Sequence, residues 1–175
     1  MASKLEIIDK IVIRTQEPAI RIISKVGKLA NAADRDHCIQ YMVAVGLIFG
    51  DLIAEYYEDD FHQENQLIDK LRDKMIIEED KKFSMDYLDP EKRSIANAVQ
   101  VFYNDGTCSD DIQIEYPIGH KKRREEGIPL LEEKFWNNLN TCFDKDKSKL
   151  IYDLCLDQEK LEKTKVHEFM ELFVK

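Results

Sequence analysis

The chain has 175 residues, of which 43% are hydrophobic and 35% charged, and a formal net charge of −9. Aromatic and aliphatic residues run along its whole length, which excludes disorder throughout, and the acidic balance excludes a general nucleic-acid binder, which needs a basic face to displace counterions. The opening MASKLEIIDK is charged from Lys4 onward and no apolar run reaches membrane-spanning length, so a soluble, cytoplasmic protein with no membrane partner is expected.

Leu5 to Thr15 alternates around Ile8, Ile11 and Ile13 and is rich in β-branched residues, the pattern of a strand. Glu17 to Ile23 suits a short helix. Lys25 to Ala33, marked by Gly27 and Asn31, suits a loop. Asp34 is then expected to cap a helix with acidic Asp36 in its first turn. Ile39 to Phe49 is apolar nearly all round, so that helix should be buried, and Gly50 is a suitable stop. Leu52 to Tyr57 and Gln63 to Lys74 suit two further short helices. Met75 to Glu79 and Ala96 to Tyr103 suit strands. Asn104-Asp105-Gly106-Thr107 is a turn, because Asp-Gly accepts positive φ at low cost. Ser109 to Tyr116, with Ile112 and Ile114 alternating against polar residues, completes a hairpin.

Beyond Pro117 and Gly119 the pattern changes. Leu130, Leu131, Phe135, Trp136 and Leu139 lie at helical spacing, and helices are expected again at Ser148 to Leu156 and Lys165 to Val174. The residues alone therefore place a boundary between Gly119 and Gly127. The expected fold class is α+β: an antiparallel sheet packed with helices, followed by a helical segment. That segment is too small to bury a core by itself and must pack on something else.

No glycine-rich phosphate loop or nucleophile elbow occurs. Cys38, Cys108, Cys142 and Cys155 form no CxxC pair and match no zinc spacing with His37, His62, His120 or His167, so reduced thiols and no metal are expected. Two places hold candidate binding groups. Arg35, His37, Gln40 and Tyr41 lie at the start of the apolar helix. There they either satisfy the helix end or face an anionic ligand. His120, with Lys121, Lys122, Arg123 and Arg124, forms either a solvated turn or a carboxylate-binding loop.

Three strings carry a resemblance. DRDHCIQYM at Asp34 to Met42, DPEKRSIANA at Asp89 to Ala98, and EYPIGHKKRREEGIPLLEEKF at Glu115 to Phe135 resemble the MmgE/PrpD family of 2-methylcitrate dehydratases. The likeness is nearly continuous from Leu5 to Val174 and includes IVIRTQEPAIRII upstream and LCLDQEKLE and HEFMELFV downstream. Lys175 stands where an apolar last residue is expected.

The resemblance implies a hydro-lyase that converts 2-methylcitrate to 2-methyl-cis-aconitate and water in propionate breakdown, without an iron–sulfur cluster or other cofactor. It implies a large helical domain and a smaller α+β lid, with residues 1–117 as the lid and 118–175 as helices returning to the helical domain. Arg21, Arg35, His37, Gln40 and Tyr41 would be lid residues facing a tricarboxylate substrate, with His120, Arg123 and Arg124 at the hinge as second choices. The chain starts where the lid starts, so the acid and base groups are expected mostly on an N-terminal helical domain. By itself the chain is expected to be inactive. A homodimer or an N-terminal-domain partner is the expected assembly. A cis-aconitate decarboxylase-like member and a non-catalytic binding module are the alternatives.

Overall fold

The computed structural model describes residues 4–174; Lys175 and the first three residues lie outside it. The chain divides into two compact units, Met1–Pro117 and Ile118–Lys175.

The first unit is built on a four-stranded sheet in the order β2-β1-β3-β4. Its strands are β1 (Ile8–Thr15), β2 (Met75–Glu79), β3 (Asn97–Tyr103) and β4 (Ile112–Ile114). β1 pairs antiparallel with β3, and β3 with β4, but β1 and β2 run parallel. The sheet is therefore mixed, in an α+β fold as expected, with one parallel pair where an antiparallel sheet was expected. A parallel pair needs a long crossover. Five helices supply it: α1 (Glu17–Ile23), α2 (Ala32–Asp36), α3 (Ile39–Phe49), α4 (Asp59–Glu64) and α5 (Leu67–Arg72).

β1 begins with an irregularity between Ile8 and Lys10. One extra residue there shifts the alternation, so Ile8 and Ile11 fall on the same face despite odd spacing. Ile8, Ile11 and Ile13 are buried with Tyr41, Ala44 and Val45 of α3 and Ile68 and Leu71 of α5 in one core. Asn104 to Thr107 turns the chain as expected, with Gly106 at φ +84°. The returning strand is shorter than its alternating pattern. Only Ile112–Ile114 forms β4, and Ile112 and Ile114 remain exposed.

Helix α6 (Lys81–Leu88) was not anticipated, although its start is marked in the sequence. Asp80 caps it, its carboxylate accepting from the Lys82 and Phe83 amides at 2.9 and 3.3 Å. Phe83 packs with Ala96 and Ala98 in a second small cluster, and the Arg14 guanidinium lies 5.6 Å from its ring centroid. Arg14 also pairs with Asp80 and Asp111, at 2.7 and 2.5 Å.

Asp86 on α6 takes the ammonium groups of Lys82 and Lys92 at 2.8 and 2.6 Å. These bonds hold its carboxyl below the ordinary range. A carboxyl depressed on folding stabilises the folded chain above its unfolded pKa of about 3.9 and loses that contribution as pH falls through the lower folded value. Asp86→Asn is therefore expected to lower stability at neutral pH and to shrink the difference from the parent as pH falls below about 4, measured by urea denaturation across that range.

The second unit holds α7 (Arg124–Cys142), α8 (Lys145–Leu156), α9 (Gln158–Lys163) and α10 (Val166–Glu171). Asp144 and Asp157 cap α8 and α9, accepting from the Lys147 and Lys160 amides at 2.9 and 3.0 Å. The Tyr152 ring of α8 sits 5.8 Å from Phe135 and 5.3 Å from Trp136. These two residues and buried Leu139 make the covered part of the α7 stripe. Ile128, Leu130 and Leu131 are exposed.

Candidate functional site

The string DRDH does not open the buried helix. Asn31 is the cap of α2, its side-chain oxygen accepting from the Asp34 amide at 2.9 Å. The chain breaks at His37 and Cys38, and α3 starts at Ile39. Asp34 instead clamps the preceding loop: it accepts from the Ala30 amide at 3.0 Å and pairs with Lys25 at 3.1 Å. The Ala30 amide first, then Lys25, hold its carboxyl below the usual range. His37 is thus the residue that ends α2, rather than one in the first turn of a buried helix.

This break sends the polar groups in different directions. Arg35 is only 2% exposed. Its Nε–H donates to the Tyr57 carbonyl at 2.6 Å, and its Nη2 pairs with Asp59. Tyr41, fully buried, donates its hydroxyl to the Tyr56 carbonyl at 2.6 Å. Arg35 and Tyr41 therefore both grip the 3-10 segment Ala54–Tyr57. Burial pushes the Tyr41 hydroxyl up to about 12, against a partial opposing pull from Arg35. The group remains a neutral donor at any ordinary pH. Gln40 faces the other way. Its amide nitrogen donates to Ser24 Oγ at 3.0 Å, and its oxygen accepts from the Lys25 amide at 3.1 Å.

The other two first-unit candidates are exposed. Arg21, on α1, lies 3.7 Å from Glu17. His37 pairs through Nδ1 with Asp36 and keeps 61% of its side-chain surface in solvent. Arg35, Gln40 and Tyr41 spend their polar groups on the scaffold, and Arg21 and His37 are the two left open to a ligand.

In the second unit, His120 Nδ1 accepts from the Lys122 amide at 3.2 Å, capping a short 3-10 turn at Lys121–Arg123. Arg123 makes a forked pair with Glu126, its Nη2 at 3.0 Å from Oε2. The pair raises the Arg123 guanidinium further above its ordinary value and holds the Glu126 carboxyl down. Arg124 is the exposed first residue of α7. The segment entering the basic loop approaches α7 closely at Gly127, where an added Cβ would lie 2.2 Å from the Ile118 carbonyl oxygen.

Three polar residues outside the sequence-based set also converge. His62 Nε2 lies 2.9 Å from Asp69 Oδ2, Arg72 Nη1 donates to Asp69 Oδ1 at 2.5 Å, and the His62 ring meets the Tyr41 ring edge-on at 5.6 Å. Only the Asp69/Arg72 spacing on one helix face was visible in sequence, because His62 belongs to a different helix. Both Asp69 oxygens are engaged.

A cavity of about 430 Å³ in the second unit is lined by Leu150, Leu154 and Leu172 together with Asp153, Lys160 and Glu168. Each of these charged groups is in a local ion pair, with Lys149, Asp157 and Lys165 respectively. Among the described residues no group of three or more His, Cys, Asp or Glu side chains could hold a metal ion, and no helix is long and apolar enough to cross a membrane.

Residues 1–158 match the family model of the MmgE/PrpD C-terminal domain. The chain is 50% identical over 167 residues to 2-methylcitrate dehydratase of Salmonella typhimurium, covering 95% of the chain and 34% of that relative. It is 51% identical over 163 residues to 2-methylcitrate dehydratase of Cupriavidus necator, again 34% of the relative. It is 41% identical over 173 residues to the alkylcitrate dehydratase phiI of a fungal species, 33% of that protein. The chain spans about a third of the length of the curated relatives it matches. A family match over residues 1–158 and this level of identity place the chain in the MmgE/PrpD C-terminal domain family.

Proposed function

We propose that the chain supplies the lid and terminal helices of a 2-methylcitrate dehydratase, and that it does not dehydrate the substrate by itself. Residues 1–117 act as the lid. Residues 118–175 belong with a helical domain contributed by further polypeptide, in a cytoplasmic enzyme whose simplest assembly is a homodimer.

Removing water beside a carboxylate needs a base for the α-proton, an acid for the departing hydroxyl and cations around the tricarboxylate. Arg21 and Arg124 are exposed cationic groups of the last kind, and His37 is an exposed imidazole. The observation that carries the reading is what has happened to the rest. Arg35, Gln40 and Tyr41 are buried, and their polar groups are taken up by the Tyr56 and Tyr57 carbonyls, the Ser24 hydroxyl and the Lys25 amide. No acid and base among them are left to converge on a ligand. A lid with such a fixed interior contributes by closing, excluding water and presenting charge. The exposure of Ile128, Leu130 and Leu131 on α7 supports packing of these helices against polypeptide beyond this chain.

The test is ultraviolet absorbance of the unsaturated product formed from 2-methylcitrate. The chain alone is expected to give no enzyme-like turnover. Adding the separately produced N-terminal helical domain of a relative is expected to restore it. Turnover by the chain alone overturns the reading, and silence of the mixture favours a binding module.

A further inference from the structure

We propose that His62, Asp69 and Arg72 form a relay that fixes the turn at Ser24–Gly27 and thereby positions the α2–α3 segment. Arg72 is the positioning residue at its centre. Its side chain is 6% exposed. One nitrogen, Nη1, holds Asp69, and the other, Nη2, donates to the Gly27 and Lys25 carbonyls at 3.0 and 3.5 Å. Asp69 is held in turn by His62, whose ring rests on Tyr41.

The Lys25 peptide is gripped from both sides. Its amide donates to Gln40 Oε1 at 3.1 Å, and its carbonyl accepts from Arg72 and from the Cys38 thiol at 3.6 Å. α3 and α5, which also pack directly in the core, thus both bind the backbone of one loop residue that neither contains. At the tip of the loop Val26 is 92% exposed and Gly27 sits at φ +79°. Its exposed tip is set on a buried polar base.

Stability alone is a poor account of this arrangement. Arg72 Nε is buried with no hydrogen-bond partner. An arginine that leaves a buried N–H unmatched is a worse core residue than leucine, because desolvation of the guanidinium is only partly compensated. What leucine cannot do is bind a carboxylate and two carbonyls at once in a fixed fork. The side chain is thus placed for geometry. Through Tyr41 the relay reaches the same Ala54–Tyr57 segment that Arg35 grips, so it links both ends of the DRDHCIQY string. That this string borders a substrate cleft rests on the proposed function; the relay does not.

Amide hydrogen exchange on the full chain separates the two. In Arg72→Leu the Lys25 amide is expected to exchange at least about tenfold faster, since losing a charge-assisted hydrogen bond corresponds to about that factor or more. The Ile11 amide, bonded to the Lys74 carbonyl at 3.0 Å in the sheet, is expected to keep its rate. Arg72→Lys keeps the charge but not the fork and is expected to fall between parent and leucine variant. Asp69→Asn is expected to loosen the same amide and to add nothing when combined with Arg72→Leu. An unchanged Lys25 rate, or equal acceleration of Lys25 and Ile11, overturns the relay. If Arg72→Leu does not fold, Arg72→Lys and Asp69→Asn decide by the same comparison. Dehydration by the chain mixed with an N-terminal helical domain is read separately. A loosened turn without any dehydratase activity in the parent mixture keeps the relay and discards the proposed function.

Discussion

Tyr41→Ala is expected to remove about 3–5 kcal/mol from the first unit, the range for truncating a buried aromatic ring. A whole domain commonly has a margin of about 5–15 kcal/mol, so much of the unit's stability rests on this residue. Tyr41 is fully buried, stacks on Tyr57 at 6.0 Å, meets His62 at 5.6 Å and anchors the Tyr56 carbonyl. Tyr41→Phe keeps the ring and loses only the hydrogen bond, at about 1 kcal/mol. The two variants separate packing from polarity. The hydroxyl also sets a pH limit. A phenol whose folded value is raised to about 12 stabilises the neutral folded form fully below its unfolded value of about 10 and loses that contribution as pH rises toward 12. Tyr41→Phe is expected to lack that alkaline loss. Circular dichroism during urea denaturation is the suitable measurement, because the one tryptophan, Trp136, lies in the second unit. A Tyr41→Ala chain as stable as the parent would show that the α3 core closes over the gap.

Tyr41 also shows where sequence reasoning reaches its limit. The run Ile39 to Phe49 announced a buried helix ending at Gly50, and α3 is that helix, with Gly50 at φ +75°. Periodicity reports burial well because burial depends on which residues repeat. It does not report whether a polar group inside that helix faces a ligand or a backbone carbonyl, since both satisfy it equally. Arg35, Gln40 and Tyr41 had both readings open, and only the path of the chain from Ser24 to Tyr57 decides where their hydrogen bonds go. The break at His37 was missed for a related reason. Asp34 is a good cap by type, but Asn31 three residues earlier is another, and the competition is settled by the path of the preceding loop, which brings Ala30 and Lys25 onto the Asp34 carboxylate. The parallel pairing of β1 and β2 was hidden because alternation fixes which face a strand buries, not the direction of its neighbour. The relay through His62 joins residues on separate helices and has no local spacing to read. The strings EYPIGH and DRDHCIQYM pointed to the family directly, because a long continuous likeness constrains far more than any one motif.

Two glycine-to-alanine changes test the second unit and the first with opposite signs. In a helix interior alanine is ordinarily better than glycine by about 0.5–1 kcal/mol, because it restricts the unfolded backbone. Gly46, inside α3, has nothing within 4 Å of the position an added Cβ would take, so Gly46→Ala is expected to stabilise by that amount. Gly127, inside α7, is the contrary case. Its added Cβ would lie 2.2 Å from the Ile118 carbonyl oxygen and 3.3 Å from the carbonyl carbon. Both are backbone atoms that no rotamer change can move, so the segment entering the basic loop must lift from the helix. Forcing atoms into a filled site costs about 1–3 kcal/mol or more, which outweighs the propensity gain. The lifted segment carries His120 and the 3-10 turn Lys121–Arg123, whose capping bond from His120 to the Lys122 amide depends on its path. Gly127→Ala is therefore expected to speed trypsin cleavage after Lys121 and Lys122, while Trp136 fluorescence, reporting the α7–α8 contact with Tyr152, changes little until the unit unfolds at lower urea. A variant more stable than the parent, with unaltered cleavage, would mean that Ile118 yields freely. The close approach would then not be what holds the basic loop on its helix.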